Sequence, residues 1–318
     1  MKIPNKLQLA NLPTPVQEVS FNSRKFLIKR DDFTGMELSG NKVRKLEYIL
    51  AQAKKEKSDI IFTCGGEQSN HARATVIAAA KLGMKCGLFL WGKDKTTAEG
   101  NLFLNKLTGC GITFLKKDEY SHVNEIMFEE RQRLLKKGKN AYVIPEGGST
   151  TLGILGYISF MQELNKQIDL RKMDGILTAA GSGGTSAGLL LVSAWLVYNL
   201  KIYSVNVLYS KSIIQNKIVR LAEAANLEYK LRANINPDNL IILDGYSVEG
   251  YKSISVSKLK VIREFYKQTG ILLDPAYTGK AFAAFNDYFL MRRSERVLFV
   301  HTGGLFGIFA KRKKYLDI

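Results

Sequence analysis

The sequence has little of what marks a disulfide-stapled, metal-binding or membrane-spanning protein. Its three cysteines, Cys64, Cys86 and Cys110, have no CxxC spacing and are odd in number, so neither a disulfide framework nor a zinc site is expected. Its three histidines show no metal-ligand spacing such as HExxH. The longest apolar run, 187–200, is too short to cross a bilayer, and the N-terminus lacks a signal-peptide core. We therefore expect a cytoplasmic protein that contacts no membrane and holds no metal.

Acidic residues are scarce relative to basic ones. The chain contains 47 lysines and arginines against 29 aspartates and glutamates, which gives a formal net charge of +18. A charge of this size can indicate a nucleic-acid-binding protein. The basic residues are scattered, however, and form no recognised nucleic-acid motif. A lysine-rich solvated surface is the preferred interpretation, and no nucleic-acid partner is expected.

The length and the pattern of the chain predict an α/β protein. At 318 residues it exceeds the size at which a single hydrophobic core stops growing. Strand-like segments alternate with helical ones, such as 44–57, which carries Leu46, Ile49, Leu50 and Ala53 at helical spacing. Strands separated by helices predict parallel sheets with helices on both faces. Because no Pro- or Ser-rich linker separates the halves, we expect two domains between which the chain crosses.

Four glycine-containing turns follow predicted strands, where open α/β sheets collect their ligands. They read "CGGEQSNHAR", "PEGGSTTLG", "AAGSGGTSAGL" and "HTGGLFG". In the third, a strand and a helix are joined by Gly181, Ser182, Gly183, Gly184 and Thr185. The glycines let backbone N–H groups approach an anion, and the helix N-terminus adds partial positive charge. This loop predicts a phosphate site, with a tight packing turn as the alternative.

Two common nucleotide-binding patterns do not fit that loop. No Walker lysine follows it, which excludes a P-loop, and the third glycine of a dinucleotide fingerprint is displaced to Gly188. The first turn carries four hydrogen-bonding side chains, Gln68, Ser69, Asn70 and His71. Ser69 or Asn70 is a good helix N-cap, which explains one of the four. The complete run can also bind a carboxylate, and both interpretations stay open from these residues alone.

A lysine in "LSGNKVRKLEY" completes a combination that fits one cofactor. Pyridoxal 5′-phosphate needs a lysine for its Schiff base, a phosphate site and a partner for its pyridine nitrogen. Lysine is the right residue type, because a primary amine forms an imine and its pKa falls readily on burial. The segments "LLDPAYTGKAF" and "HTGG" are weak signals taken singly.

The ordered set "SGNKVRKLE", "GGEQSNHAR", "GSGGTSAGL", "LLDPAYTGKA" and "HTGG" resembles the D-cysteine desulfhydrase and 1-aminocyclopropane-1-carboxylate deaminase family, which are fold type II pyridoxal-phosphate enzymes. The resemblance covers nearly the whole chain. It implies a fold like that of the tryptophan synthase β subunit, with the cofactor between a large domain (1–46 and 153–318) and a small α/β domain (47–152). It also implies a small amino-acid substrate and a homodimer.

The resemblance further implies roles for individual residues. Lys42, preceded by Asn41, matches the Schiff-base lysine, and Lys45 is a neighbouring alternative that periodicity assigns to the following helix. Gly181, Ser182, Gly183, Gly184 and Thr185 match the phosphate-binding loop. Asn70 matches the residue that contacts the 3′ oxygen of the cofactor. Gln68 and Ser69, in the loop with His71, match the residues that bind the substrate carboxylate.

Two tyrosines and one glutamate complete the set. Tyr277 is expected near the substrate, and the second family tyrosine matches Tyr251, with Tyr246 as a competing assignment. Glu67 stands beside the carboxylate-binding run, where an aliphatic residue is usual. An inward-facing Glu67 would repel a carboxylate substrate, whereas an outward-facing one would be an ordinary surface charge.

Two positions separate the branches of this family. The deaminases carry a glutamate that pairs with the pyridine nitrogen where this chain has Thr278, and the desulfhydrases offer the hydroxyl that Thr302 supplies here. His71 also follows the desulfhydrase pattern. A neutral threonine supports a weaker electron sink than a carboxylate, which suffices when a thiolate leaves from Cβ. We therefore predict a lyase that converts D-cysteine to pyruvate, hydrogen sulfide and ammonia.

Other functions remain as alternatives. One is 1-aminocyclopropane-1-carboxylate deaminase activity, and another is a related lyase acting on a different β-substituted amino acid. A third, from another class, is a non-catalytic protein that binds the cofactor or a nucleotide. The intact Lys42 and Tyr277 argue against the last of these.

Overall fold

The computed structural model describes residues 3–251, 253–291 and 295–316, and its strands form two sheets. The six-stranded sheet contains β1 (Val16–Phe21), β2 (Arg24–Arg30), β7 (Gly175–Ala180), β8 (Lys201–Asn206), β9 (Leu240–Leu243) and β10 (Val297–His301). The four-stranded sheet contains β3 (Ile60–Gly66), β4 (Lys85–Trp91), β5 (Gly111–Leu115) and β6 (Ala141–Ile144). Their orders are β1-β2-β10-β7-β8-β9 and β5-β4-β3-β6. Within the described residues, only the β1–β2 pair is antiparallel.

Helices cover both sheets. They are α1 (Lys42–Lys55), α2 (Asn70–Lys81), α3 (Gly100–Leu107), α4 (Lys117–Ser121), α5 (Val123–Leu135), α6 (Thr151–Ile154), α7 (Gly156–Gln167), α8 (Gly184–Trp195), α9 (Lys211–Glu228), α10 (Val256–Thr269), α11 (Thr278–Phe285), α12 (Leu305–Phe309) and α13 (Arg312–Leu316). Short 3₁₀ turns occupy 31–33, 146–148, 170–172 and 237–239, and a π-helical turn occupies 286–290. Among the described residues, no helix has the length and apolarity that a membrane crossing requires. The parallel-rich α/β fold predicted from the sequence is confirmed.

The central strands of the six-stranded sheet are buried on both faces. All six residues of β7 and all five of β10 are buried, as expected for parallel strands covered by helices on each side. One face packs on α7, α8 and α9, and the other carries a cluster of aromatic rings. The apolar run that the sequence showed at 187–200 begins in α8, a buried core helix.

The two sheets use different parts of the chain. All strands of the four-stranded sheet lie between residues 60 and 144, and all strands of the six-stranded sheet lie outside that range. The division into 1–46 with 153–318 and 47–152 remains a prediction, with which this arrangement is compatible. Helix α1 links the two parts, since its apolar residues, including Val43 and Ile49, pack in the core beside β3 and β6 while Arg44 reaches α7.

Arg44 is fully buried in a network of charged side chains that fixes the first turn of α1. Its Nε and Nη2 atoms donate to the two carboxylate oxygens of Asp31 at 2.9 and 2.8 Å, and Nη1 donates to Glu163 at 2.8 Å. The buried Lys29 ammonium joins the network, donating to Glu163 at 3.2 Å and to the Thr14 carbonyl at 2.7 Å. Burial opposes the charge of Arg44, but the two carboxylates outweigh burial and raise its pKa.

We predict that Asp31→Ala destabilises the fold strongly. The substitution leaves the buried Arg44 guanidinium with one carboxylate instead of two, and breaking a buried ion pair in this way costs about 3–5 kcal/mol. The free energy of unfolding, measured by urea denaturation, should fall by that amount. Glu18→Ala is the matched control, because its pair with Lys25 is exposed and the expected change lies within experimental error. Equal losses in the two variants would contradict the prediction.

Candidate active site

A cavity of 810 Å³ opens in the cleft between the two sheets, at the carboxyl ends of their strands. Residues from both sides line it, including Lys42, Ser69, His71, Glu146, Ser182, Tyr209, Tyr251 and Tyr277. A smaller adjoining cavity is lined by Asn41, Lys42, Asn70, Gly181, Ser182, Gly183, Gly184, Thr185, Tyr277 and Thr302. Of the site residues predicted from the sequence, only Gln68 lies outside these two cavities.

Lys42 is the first residue of α1 and lines both cavities. The preceding turn is held tightly, because the Asn41 backbone N–H donates to the Thr302 carbonyl at 3.1 Å. Gly40 permits this approach, since its φ is 108° and a Cβ there would lie 2.8 Å from the Thr302 carbonyl oxygen. Burial lowers the pKa of Lys42 to about 8, against the opposing effect of the nearby acids Glu146 and Asp274. The amine is therefore far more nucleophilic near neutral pH than an ordinary lysine.

Lys45 lies on the same face of α1, three residues further on, but its ammonium contacts the loop that follows β6. Its buried ammonium donates to the Gly147 carbonyl and lies 3.4 Å from the Ser149 hydroxyl. A Cβ built on Gly184 would lie 3.1 Å from the same nitrogen. Burial, and then the charge of Lys42, lower the pKa of Lys45 well below its usual value. An anion bound at the glycine loop would restore this charge, which makes Lys45 a candidate phosphate ligand.

The loop from Gly181 to Thr185 has the geometry of an anion cradle. Gly183 adopts a φ of 86° and precedes α8, whose first N–H groups face the cleft. The Thr185 hydroxyl accepts from the Asn41 side chain at 2.7 Å, and the Ser182 and Ser149 hydroxyls are 2.8 Å apart. A Cβ at Gly184 would come within 2.4 Å of the Ser149 hydroxyl oxygen, so a larger residue there would push this hydroxyl away from Ser182. The residues present therefore fit the phosphate of pyridoxal phosphate.

The residues of the 68–71 loop divide into capping and structural roles. The Ser69 hydroxyl caps α2 by accepting a backbone N–H of its first turn at 3.1 Å. The Gln68 amide donates to the Glu99 carbonyl at 2.9 Å and accepts from the Asn101 backbone at 3.0 Å, so it holds the start of α3. Asn101 also donates to Asn70 at 2.8 Å. A contact between Gln68 and a substrate would require this amide to leave its present partners.

His71 is buried, neutral and of defined tautomer. Its Nε2 lies 2.8 Å from the Thr63 hydroxyl, which itself donates to the Ile144 carbonyl at 2.8 Å. Because that hydroxyl has only one proton, Nε2 of His71 must donate to it, which leaves Nδ1 unprotonated. Burial and the charges of Lys45 and Lys42 lower the pKa of His71 well below its usual value. His71 can therefore accept a hydrogen bond through Nδ1, and its lowered pKa keeps the ring uncharged.

Glu67 is paired with a basic residue near the end of β4. Its carboxylate forms a 2.9 Å ion pair with Lys95 and packs against Gly92, on the loop that follows β4. The side chain is only 13% exposed, so Glu67 is not the ordinary surface charge that one of the two alternatives described. Its pairing with Lys95 reduces the repulsion that a substrate carboxylate would meet.

Glu146 is the acidic residue of the larger cavity, and sequence reasoning missed it. Tyr120 from α4 and Tyr209 from the loop after β8 each donate to one of its oxygens at 3.0 Å, so the carboxylate bridges the two sides of the cleft. The only signal was its place in the glycine turn after β6. Burial, with help from Glu146, raises the pKa of the nearby Cys64 thiol to about 12, which keeps that cysteine unreactive.

Tyr251 and Tyr277 meet at the cavity wall. Their hydroxyl oxygens are 2.8 Å apart, their rings cross nearly perpendicular, and burial raises both pKa values. The competing candidate, Tyr246, donates to Asp287 at 3.0 Å at an exposed position away from both cavities. The structure thus brings Tyr251, rather than Tyr246, beside Tyr277.

The buried Asp274 carboxylate explains how "DPAYT" positions Tyr277. One of its oxygens accepts the Tyr277 backbone N–H at 3.0 Å, and the other accepts the Thr278 N–H and hydroxyl, both at 2.7 Å. The hydrogen bonds of Thr278 are therefore used within the turn that begins α11. Thr302 instead lines the smaller cavity, where no residue within the described part of the chain supplies a carboxylate.

We predict that pyridoxal phosphate labels Lys42 of the apoprotein at a rate that levels off above about pH 8. The attacking amine must be unprotonated, so with its pKa near 8 the reactive fraction should rise about fifty-fold between pH 6 and pH 8 and change little beyond pH 9. The rate can be followed by borohydride reduction and peptide mass. Nα-acetyllysine is the control, since its pKa of about 10.4 keeps its rate rising. A Lys42 profile parallel to that control would contradict the prediction.

Comparison with known proteins agrees with this geometry. The family described as pyridoxal-phosphate dependent enzyme matches residues 7–303. A Thermotoga maritima protein, provisionally named 1-aminocyclopropane-1-carboxylate deaminase, is 41% identical over 97% of this chain and 99% of its own. The mitochondrial bifunctional D-cysteine desulfhydrase/1-aminocyclopropane-1-carboxylate deaminase of Arabidopsis thaliana is 36% identical over 95% of this chain and 79% of its own.

A solved structure extends the likeness to the fold. The crystal structure of an ACC deaminase homologue superimposes with a TM-score of 0.90 at 35% identity, covering 99% of this chain and 96% of that one. Identity at this level across the complete fold, together with the buried lysine and the glycine cradle, decides the family. The chain belongs to the pyridoxal-phosphate-dependent enzymes of fold type II, in the lyase family of D-cysteine desulfhydrase and 1-aminocyclopropane-1-carboxylate deaminase.

Proposed function

We propose that this enzyme catalyses β-elimination on a small β-substituted amino acid, with D-cysteine giving pyruvate, hydrogen sulfide and ammonia. The observation that carries the proposal is the chemistry around the smaller cavity, where Thr302 is present and Thr278 is bound to Asp274. Without a carboxylate to keep the pyridine nitrogen protonated, the site suits a reaction in which a good leaving group departs. Thiolate is such a group, whereas opening a cyclopropane ring makes a larger demand.

The deaminase reaction is the second candidate. The Thermotoga maritima relative carries only the deaminase name, and the Arabidopsis thaliana relative carries both activities in its name. A lyase acting on another β-substituted amino acid is the third candidate, since the larger cavity exceeds what cysteine fills. The homodimer and the cytoplasmic location expected from the sequence remain predictions.

Separate groups of residues in the site would bind the cofactor and the substrate. Pyridoxal 5′-phosphate, when bound, supplies an electron sink for the charge that develops at the substrate Cα. Lys42 would hold the cofactor through Nζ, and the Gly181–Thr185 loop with Lys45 would hold its phosphate. The substrate carboxylate binds at the N-terminus of α2, beside Ser69. Tyr251 completes the cavity wall, with its hydroxyl hydrogen-bonded to that of Tyr277.

Proton transfer is assigned to the groups whose pKa values and positions suit it. The Lys42 amine would act as general base toward the α-proton, since its pKa of about 8 leaves it partly unprotonated near neutral pH. The Tyr277 hydroxyl, whose proton is retained because burial raises its pKa, orients the substrate by hydrogen bonding. Hydrosulfide leaves from Cβ and takes up a proton to become hydrogen sulfide. The released 2-aminoacrylate reacts with water to give pyruvate and ammonia.

The proposal is tested by titrating the cofactor-loaded protein with D-cysteine, L-cysteine and 1-aminocyclopropane-1-carboxylate. The expected result is a visible absorption band that borohydride removes, and release of pyruvate and sulfide from D-cysteine only. Release of ammonia and 2-oxobutyrate from the cyclopropane substrate would establish the deaminase instead. A band with no turnover of any of the three would refute the D-cysteine assignment and leave the third candidate.

We predict that Lys42→Ala abolishes both turnover and the visible band. No other amine is expected to replace it, because Lys45 is held at the Gly147 carbonyl. Turnover should fall by at least about 10³-fold, as expected when a covalent and proton-transferring group is lost. Lys54→Ala, an exposed position on the same helix, is the matched control and should keep both signals. A Lys42→Ala variant that retains the band would overturn the assignment.

A further inference from the structure

Lys280 is a buried lysine to which none of the roles above applies. It is the third residue of α11, and its side chain has no exposed surface. Its ammonium donates to the Gly250 carbonyl at 2.8 Å. Burial, its main perturbation, lowers the pKa of Lys280 to about 8, and the acids Glu249 and Asp274 offset only part of that effect.

Burying this ammonium is costly, and packing alone does not require it. An ammonium taken out of water costs several kcal/mol unless it is well paired, and a neutral carbonyl is a weak partner. The methylene stem of lysine could be replaced by methionine with nearly the same volume. What only the nitrogen supplies is the hydrogen bond to Gly250, so that bond is the feature to explain.

Gly250 is the residue immediately before Tyr251, in a stretch without strand or helix between β9 and α10. Its φ is 85°, and its carbonyl also accepts the Ser253 backbone N–H at 3.2 Å. The Gly250 N–H donates to the Ser247 carbonyl at 2.8 Å, and the neighbouring Glu249 carboxylate accepts from Lys258 and from the Ser255 N–H, both at 2.9 Å. These bonds hold the turn together and attach it to α10, whereas the Lys280 hydrogen bond ties the backbone directly before Tyr251 to α11.

The two tyrosines and Lys280 form a closed loop of contacts. Tyr277 directly precedes α11, and Lys280 follows three residues later on that helix. Lys280 binds Gly250, Gly250 leads into Tyr251, and the Tyr251 hydroxyl returns to the Tyr277 hydroxyl at 2.8 Å. Helix α11 thus anchors both tyrosines, one through the chain and the other through the Lys280 ammonium.

We propose that Lys280 is a positioning residue that holds the Tyr251 hydroxyl against Tyr277 at the wall of the substrate cavity. It acts through the backbone of Gly250 and touches neither substrate nor cofactor. The inference rests on the proposed function only in so far as the tyrosine pair acts on the substrate.

The first test is a double-mutant cycle on the cofactor-loaded full chain. Lys280→Met keeps the stem and removes the donor, and Tyr251→Phe removes the hydroxyl that Lys280 positions. Each single variant should lower kcat/KM about 10- to 100-fold, and the double variant should be no worse than Tyr251→Phe, because residues acting through one group are not additive. Costs that multiply in the double variant would overturn the proposal.

Lys29→Met provides the matched control for that cycle. Lys29 is also a buried ammonium that donates to a backbone carbonyl, that of Thr14 at 2.7 Å, but it belongs to the Arg44 network. Combined with Tyr251→Phe, its effect should be additive. Coupling of the same size with Lys29→Met would show that general destabilisation, not positioning, produces the signal.

The second test needs no substrate. Hydrogen–deuterium exchange is measured on the same loaded chains, in the peptide that spans residues 247–255. Lys280→Met should speed exchange there at least about tenfold, with α11 and the 181–185 loop unchanged, as expected for local opening of a turn that has lost an anchor. Unchanged exchange in this peptide would refute the proposal. Because this exchange measurement does not depend on turnover, it tests the role of Lys280 even if D-cysteine is not a substrate.

Discussion

The buried pairing of Arg44 with Asp31 and Glu163 is the constraint on which the site depends. It joins the end of β2, the first turn of α1 and the middle of α7 through hydrogen bonds of 2.8–2.9 Å. A network of this kind contributes little net stability, but removing one partner leaves a buried charge uncompensated. Since Lys42 lies two residues before Arg44, the network fixes the turn of α1 that carries the Lys42 amine.

The burial of two lysines sets the electrostatics of the cleft. Burial lowers the pKa of Lys42 and that of Lys45, and the charge of Lys42 lowers the pKa of Lys45 further. The partial positive charge at the start of α8 adds to them, and Glu146 is the opposing charge. Such a site is poorly compensated until an anion binds, so a phosphate gains more here than at an exposed lysine.

Features encoded in short segments could be predicted from the sequence, and features set by tertiary contacts could not. The alternation of strands and helices predicted the parallel sheets. The segments "GSGGT" and "GNK" predicted the two loops of the site, because close backbone approach requires glycine and imine formation requires lysine. Three features depend on partners 26 to 63 residues away along the chain. They are the hydrogen bonds of Gln68 to the start of α3, the ion pair of Glu67 with Lys95, and the hydrogen bonds of Glu146 with Tyr120 and Tyr209. No pattern near those residues reports such partners.

The position after Tyr277 shows how the fold limits the chemistry. The Thr278 hydroxyl donates to Asp274 at 2.7 Å and accepts the Asp274 backbone N–H at 2.8 Å, so it completes the turn that aims Tyr277. A glutamate there would lose both bonds and bring a second carboxylate beside the buried Asp274. Supplying a carboxylate to the pyridine nitrogen from this position would therefore require a differently built turn. With the turn kept, Thr302 is the proposed partner of that nitrogen, in line with the proposed reaction in which a good leaving group departs.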